Sequence, residues 1–279
     1  MSPILPPHIR REAEGRPLVI ALHCSGGTGR QWRALAEALG PTAPVVAPDL
    51  VGTPDMGPWC GSGPFTLRHE AEPVVDLIDS WAGPVHLVGH SYGGGVALQV
   101  AALRASRIAS LALYEPCAFH LLPDMGAEGV AGLREIQEVA RAAETGLLSG
   151  AYQAAAERFV DYWNGTGTWA AMKPRLRAEL VAYLPKACLD FRALFTSRVR
   201  LEAYRRLDVP VLVLQGEHAP RPTVLIARRL HAAGRRARFD VVRGAGHMGP
   251  VTHAAAVAAL IGAHVRAAMP SSNPLAAAA

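Results

Sequence analysis

The sequence is short of several things, and each shortage narrows what the chain can be. Aromatic residues make up only 6% of it and charged residues 18%. Lys173 and Lys186 are the only lysines, so the net charge of +5 rests almost wholly on arginine. No stretch approaches the ~18 consecutive apolar, uncharged residues of a membrane-spanning helix. The first residues, MSPILPPHIRREAEGR, carry prolines where a secretory leader would need an unbroken apolar run. A cytoplasmic protein is therefore expected. Cysteine is scarce as well: Cys24, Cys60, Cys117 and Cys188 are scattered, with no C-x-x-C pair. Free thiols in a reducing compartment fit that pattern better than a disulfide framework or a thiolate metal site. No His/Asp/Glu spacing suggests a metal either.

Apolar side chains, by contrast, are plentiful. Half of the 279 residues are hydrophobic, enough for one large domain or a domain with an insertion. The densest charge, Arg221, Arg228, Arg229, Arg235, Arg236 and Arg238, reads as a solvated outer face. It has no aromatic interleaving, so a nucleic-acid partner is not expected. A scaffold role through this arginine-rich helix would show as salt-sensitive partner retention, and nothing in the sequence demands it.

The informative stretch is residues 84–100, PVHLVGHSYGGGVALQV. Val85, Leu87 and Val88 form a short apolar run of the kind buried on both faces of a parallel sheet. Helix formers follow a glycine-rich turn. The order strand, turn, helix, with Gly89-His90-Ser91-Tyr92-Gly93 on the turn, is that of a nucleophile elbow. Glycines two before and two after Ser91 allow the close backbone approach, and the helix behind it aims its positive dipole end at the site.

At these residues the chain resembles an α/β-hydrolase, and the resemblance extends over nearly the whole length. It implies an α/β fold with a mostly parallel central sheet flanked by helices, and an inserted helical cap. The core would comprise residues 1–118 and 208–269, the cap 119–207, and a disordered tail 270–279. The usual amino-terminal hairpin is expected to be shortened or missing. Residues 17–23 and 43–48 read as strands and 30–39 as a helix; Thr66 could cap a helix to about Trp81. Residues 108–114, 209–216 and 237–242 are further strands, and 251–268 a closing helix. The cap reads as helices at 130–144, 151–163, 175–183 and 186–197. Its aromatics, Tyr152, Phe159, Tyr162, Trp163, Trp169, Tyr183, Phe191 and Phe195, could line an apolar acyl pocket.

The resemblance also distributes roles. Ser91 matches the nucleophile. His247, in the glycine-flanked loop after the last strand, matches the base, and the order serine, acid, histidine is kept. His90 reads as packing, and His253 and His264 as members of the last helix facing neighbours or solvent. The acid has two candidates. Most of the family carries an aspartate after the penultimate strand, where Gly216-Glu217-His218-Ala219 offers Glu217 nearby. A group of members carries it after the strand following the elbow, where Glu115 stands, and Glu115 is preferred. Tyr92 matches one oxyanion-hole donor. The loop His23-Cys24-Ser25-Gly26 resembles the family's His-Gly-x loop and makes Ser25 the second, with Cys24 as the alternative. Asp49 matches a structural Asp-x-x-Gly turn. The implied activity is a cofactor-independent serine hydrolase acting on small to medium, largely apolar carboxylic esters, with a small molecule as partner and no membrane. The same groups would serve a lactonase, thioesterase, C–C bond hydrolase or perhydrolase. A hydrolase-fold receptor that has lost turnover is the alternative from another class.

Overall fold

The computed structural model describes residues 15–269. Residues 1–14, with most of the segment before the first strand, and the expected tail at 270–279 lie outside the described residues. β1 (Leu18–Leu22) is five buried aliphatic residues. The helix expected at 30–39 divides into a 3-10 turn, Gly29–Trp32, and α1 (Arg33–Leu39). β2 (Val45–Val46) is shorter than expected, because Pro44 and Pro48 flank it and have no N–H to give a ladder. α2 (Leu67–Asp79) begins in a capping box between Thr66 and His69. β3 (Val85–His90), α3 (Tyr92–Arg104) and β4 (Ile108–Tyr114) follow.

After β4 the chain leaves the sheet. A 3-10 stretch at Phe119–Met125 leads into α4 (Gly126–Ser149), α5 (Tyr152–Asn164), the single-turn α6 (Thr168–Ala171), α7 (Pro174–Phe195) and the short α8 (Leu201–Arg205). The two helices expected at 175–183 and 186–197 are one: α7 runs straight through Pro185. A proline inside a helix costs about 3 kcal/mol or more. Burial of Leu184, Ala187, Phe191 and Leu194 along α7 outweighs that cost. The sheet resumes with β5 (Val211–His218), α9 (Arg221–Ala233) and β6 (Ala237–Gly246). The closing helix is split at His253 into α10 (Gly249–Thr252) and α11 (Ala254–Ala267), so His253 lies at a junction rather than within a helix. Of the clustered arginines only Arg221, Arg228 and Arg229 belong to α9; Arg235 and Arg236 sit in the following turn and Arg238 on β6.

The six strands form one all-parallel sheet in the order β2-β1-β3-β4-β5-β6. Strand alternation divides the core between the two faces. Val19, Ala21, Val88, Ala112 and Leu214 pack with α1 and α11. Ile20, Leu22, Leu87, Leu111, Leu113 and Val213 pack with α2, α3, α9 and the inserted helices. The sequence-marked turns after β1, β3, β4 and β6 are therefore all at the carboxyl ends of parallel strands, on one edge of one sheet. Among the described residues no helix is long and apolar enough to cross a membrane.

Two of the buried histidines, His86 and His264, pack within this framework. His86 on β3 faces the Ser110 hydroxyl at 2.8 Å, and His264 on α11 donates from Nε2 to the Leu111 carbonyl at 3.1 Å. Burial pushes both imidazoles down to about 4. In the unfolded chain they take up protons near ~6.5. Between these values the unfolded state binds more protons, so stability is full above about pH 6.5 and is lost as pH falls toward 4. The loss is expected to reach on the order of 2 kcal/mol per ring by pH 5. Urea unfolding at pH 7 and pH 5 measures it, and His264→Gln is expected to shrink the difference by one ring's share, leaving that of His86.

Candidate active site

The floor of the site is the bend after β3. Ser91 has φ 55° and Glu115, after β4, has φ 42°; among the described residues they are the two non-glycine residues in this region. Such backbone persists only where its surroundings enforce it. Ser91 N–H donates to the Tyr114 carbonyl at 3.0 Å, while its own carbonyl accepts from Gly95 and Cys117. Glu115 N–H donates to Leu214 at 2.9 Å. The glycines around Ser91 are sterically required. A Cβ at Gly89 would lie 2.6 Å from the Gly93 carbonyl oxygen, and one at Gly93 would strike the carbonyls of Leu22 and His23.

Ser91, His247 and Glu115 come together. Ser91 Oγ lies 2.8 Å from His247 Nε2, and His247 Nδ1 lies 2.7 Å from Glu115 Oε2. All three are buried, Glu115 completely. With Nδ1–H donating to the carboxylate, Nε2 is left to accept the serine proton. Glu115 is itself fixed: its Oε1 accepts from Gly216 N–H and its Oε2 from the Thr223 hydroxyl, both at 2.9 Å. Glu217 is not part of this arrangement. Its exposed carboxylate accepts from Gly244 N–H at 2.8 Å and braces the loop leading to His247.

Two more residues hold His247 than the sequence pattern suggested. His90 donates from Nε2 to the His247 carbonyl at 2.8 Å. Burial, reinforced by the neighbouring His247, holds the His90 imidazole well below its usual value, so it acts as a neutral donor. Trp163, from the inserted α5, lies against the His247 ring with centroids 4.3 Å apart and the ring planes tilted by 32°. The strand alternation that turns His90 from Ser91 also turns it toward the histidine loop. No sequence signal separated Trp163 from its aromatic neighbours.

Tyr92 opens α3, so its N–H belongs to the helix's positive end beside Ser91. Across from it, Cys24 N–H is occupied by the Gln31 side-chain oxygen at 3.3 Å. That favours Ser25 over Cys24 as the loop's donor. His23 accepts from Leu50 N–H at 2.9 Å, and Asp49 takes Gly29 N–H at 2.7 Å, so both shape the loop.

Ser91, His247, Tyr92, Ser25 and Cys24 line a cavity of about 760 Å³ with Phe119, Phe159, Trp163, Leu180 and Phe191. Of the eight aromatics expected there, Phe159, Trp163, Tyr183 and Phe191 line it. Tyr152 is largely exposed; Tyr162 donates to Glu135, Trp169 packs among Val160 and Leu180, and Phe195 stacks on Phe119 and Phe191. Helical periodicity assigned a face to each of them, but which face met the cavity depended on how α5 and α7 dock.

Residues 19–260 match the model of the Alpha/beta hydrolase family. The chain is 35% identical over 180 residues to lipase LipV of Mycobacterium tuberculosis, a match covering 63% of this chain. It spans 61% of that relative's own length. Among solved structures it is similar to a hydrolase from Oleispira antarctica, with TM-score 0.72 and 17% identity over 91% of this chain and 92% of that one. A thermophilic esterase from Thermogutta terrifontis gives 0.66 and 19%, covering 92% of both chains.

Cys117 Sγ lies 3.4 Å from Ser91 Oγ and Cys24 is buried nearby in the cavity lining. Burial pushes the Cys24 thiol up to about 12 and that of Cys117 higher still. Neither offers a thiolate near neutrality. Iodoacetamide at pH 7.5 is expected to alkylate the exposed Cys60 and spare Cys24 and Cys117 in the native protein; peptide mass spectrometry locates the adducts.

Proposed function

Because the chain belongs to the alpha/beta hydrolase family, we propose that it is a serine hydrolase cleaving small to medium, largely apolar carboxylic esters through an acyl-enzyme. The observation that carries this reading is the unbroken chain of contacts Ser91–His247–Glu115, at 2.8 and 2.7 Å, beside an aromatic-walled cavity. A serine hydroxyl is a poor nucleophile until a base accepts its proton. His247 Nε2 does so as Ser91 Oγ attacks the ester carbonyl. The imidazolium formed is stabilised by Glu115, which also holds the ring in the required tautomer. Charge developing on the carbonyl oxygen is received by the N–H groups of Tyr92 and Ser25, each worth about 3–4 kcal/mol in such a site. His247 then gives its proton to the departing alkoxide, and water activated by the same imidazole releases the acid.

Several features support the ester and its apolar character. The cavity walls are mostly aromatic and aliphatic, and among the described residues Arg30 is the one arginine or lysine in the lining. A lipase among the relatives agrees with carbonyl chemistry at an apolar acyl group. Mass-shift labelling by a fluorophosphonate is expected to place one adduct on Ser91. Against a panel of p-nitrophenyl esters, Ser91→Ala should abolish release. Glu115→Gln should lower kcat by about 10³- to 10⁴-fold, while Glu217→Gln should stay near the wild-type value. If no acyl length gives Ser91-dependent release, the chain is a binding protein on a hydrolase fold and the reading fails.

A further inference from the structure

One cluster of charged side chains plays no part in the chemistry above, yet it touches both proposed oxyanion donors. Lys186 and Asp190 lie one turn apart on α7, and Tyr183 nearly one turn earlier on the same face. Lys186 Nζ donates to Glu70 Oε1 at 3.0 Å and makes a short contact with Asp190 Oδ1. Lys186 is 6% exposed, Glu70 3% and Asp190 2%. Burial alone would lower the Lys186 ammonium, but the Asp190 and Glu70 carboxylates more than offset it, so the lysine stays charged. Burial raises Glu70, against the pull of Lys186 and of Val51 N–H.

The remaining valences lead to the oxyanion site. Asp190 Oδ2 accepts from the Ser25 hydroxyl at 2.6 Å and from the Tyr183 hydroxyl at 2.7 Å. Glu70 Oε1 accepts from the Tyr92 hydroxyl at 3.1 Å, and Glu70 Oε2 from Val51 N–H at 3.1 Å. Lys186 Nζ sits 4.6 Å over the Tyr92 ring. The helix also rests on the loop itself: a Cβ at Gly26 would lie 3.1 Å from Leu180 and 3.6 Å from Tyr183. Gly52, at φ 89°, leaves room for the Lys186 stem. Ser25 and Tyr92 thus reach into the cluster by their side chains, and both residues also line the cavity.

A buried ion pair adds little net stability, because desolvation cancels most of its attraction, but it does fix register. We infer that Lys186, Asp190 and Glu70 are positioning residues: they lock α7 onto the core so that the inserted helices set the aim of the Ser25 and Tyr92 N–H groups. Oxyanion stabilisation depends on donors held where charge develops, and small displacements forfeit much of it. The inserted helices then complete the site as well as enclosing it. The inference rests on the serine hydrolase reading.

The most selective test removes only the hook. Ser25→Ala keeps the loop's N–H and deletes its tie to Asp190. We expect kcat on a soluble p-nitrophenyl ester to fall about 10-fold with KM within twofold. The inhibition constant of a boronic acid, which mimics the tetrahedral state, should rise by the same factor. Thermal stability should be unchanged, and Ser25→Thr should restore most of kcat. Because Ser25→Ala and Asp190→Asn share one link, their losses in kcat should combine to less than their product, the remainder tracing to the ties of Asp190 to Lys186 and Tyr183. An unchanged kcat in Ser25→Ala, or a loss that appears as higher KM or lower melting temperature, overturns the inference while Ser91-dependent turnover by the wild type leaves the hydrolase reading standing. Absence of that wild-type turnover overturns both.

Discussion

The bend that holds Ser91 at positive φ is the constraint on which the rest of the site depends. It is unfavourable for any side chain, and the sheet imposes it. β3 lies between β1 and β4, and the Ser91 N–H and carbonyl are tied to Tyr114, Gly95 and Cys117. Gly89 and Gly93 make the bend geometrically permissible, since side chains there would meet neighbouring backbone. Glu115 repeats the device one strand over, again at positive φ and again with its N–H paired to the next strand. The site therefore stands on adjacent strand ends of one rigid sheet, which is how a buried serine, imidazole and carboxylate can keep hydrogen-bond distances.

The imidazole is the one of these three groups that arrives from a loop, and it is held from several directions. Glu115 takes its Nδ1, His90 takes its carbonyl and Tyr114 takes the carbonyl of Gly246 at 2.7 Å. Trp163 covers the ring from the inserted helices. The same helices reach the opposite wall through Asp190 and Ser25. Contacts on two sides of the cavity come from one insertion, so its docking bears on both the His247 ring and the Ser25 loop.

Local signals made much of the architecture legible. The strand, turn and helix around Ser91 are contiguous, so alternation and glycine spacing sufficed to mark them. β1, β4 and β5 announce themselves as aliphatic runs. Local signals failed where tertiary packing overrides them. Pro185 looked like a helix boundary, yet α7 passes through it because its flanking residues are buried against other helices. Pro44 and Pro48 trimmed β2 to two residues. The Lys186 cluster had one overlooked mark: a lysine four residues before an aspartate, in a chain that otherwise uses arginine. An arginine fork would need more donors satisfied than this buried corner supplies, whereas an ammonium is a compact point charge.

The sequence by itself determined the parallel sheet, the bend bearing Ser91, the glycine-flanked loop bearing His247 and two carboxylates able to serve it, because all of these follow from short-range pattern. Only the tertiary structure decided which carboxylate meets the His247 ring. The resemblance preferred Glu115 and kept Glu217 as the alternative; Glu115 follows the strand beside β3, while Glu217 lies near the end of β5 with its exposed carboxylate on Gly244 N–H. Proximity between side chains 132 positions apart is a property of strand order and loop path, and no window of sequence contains it.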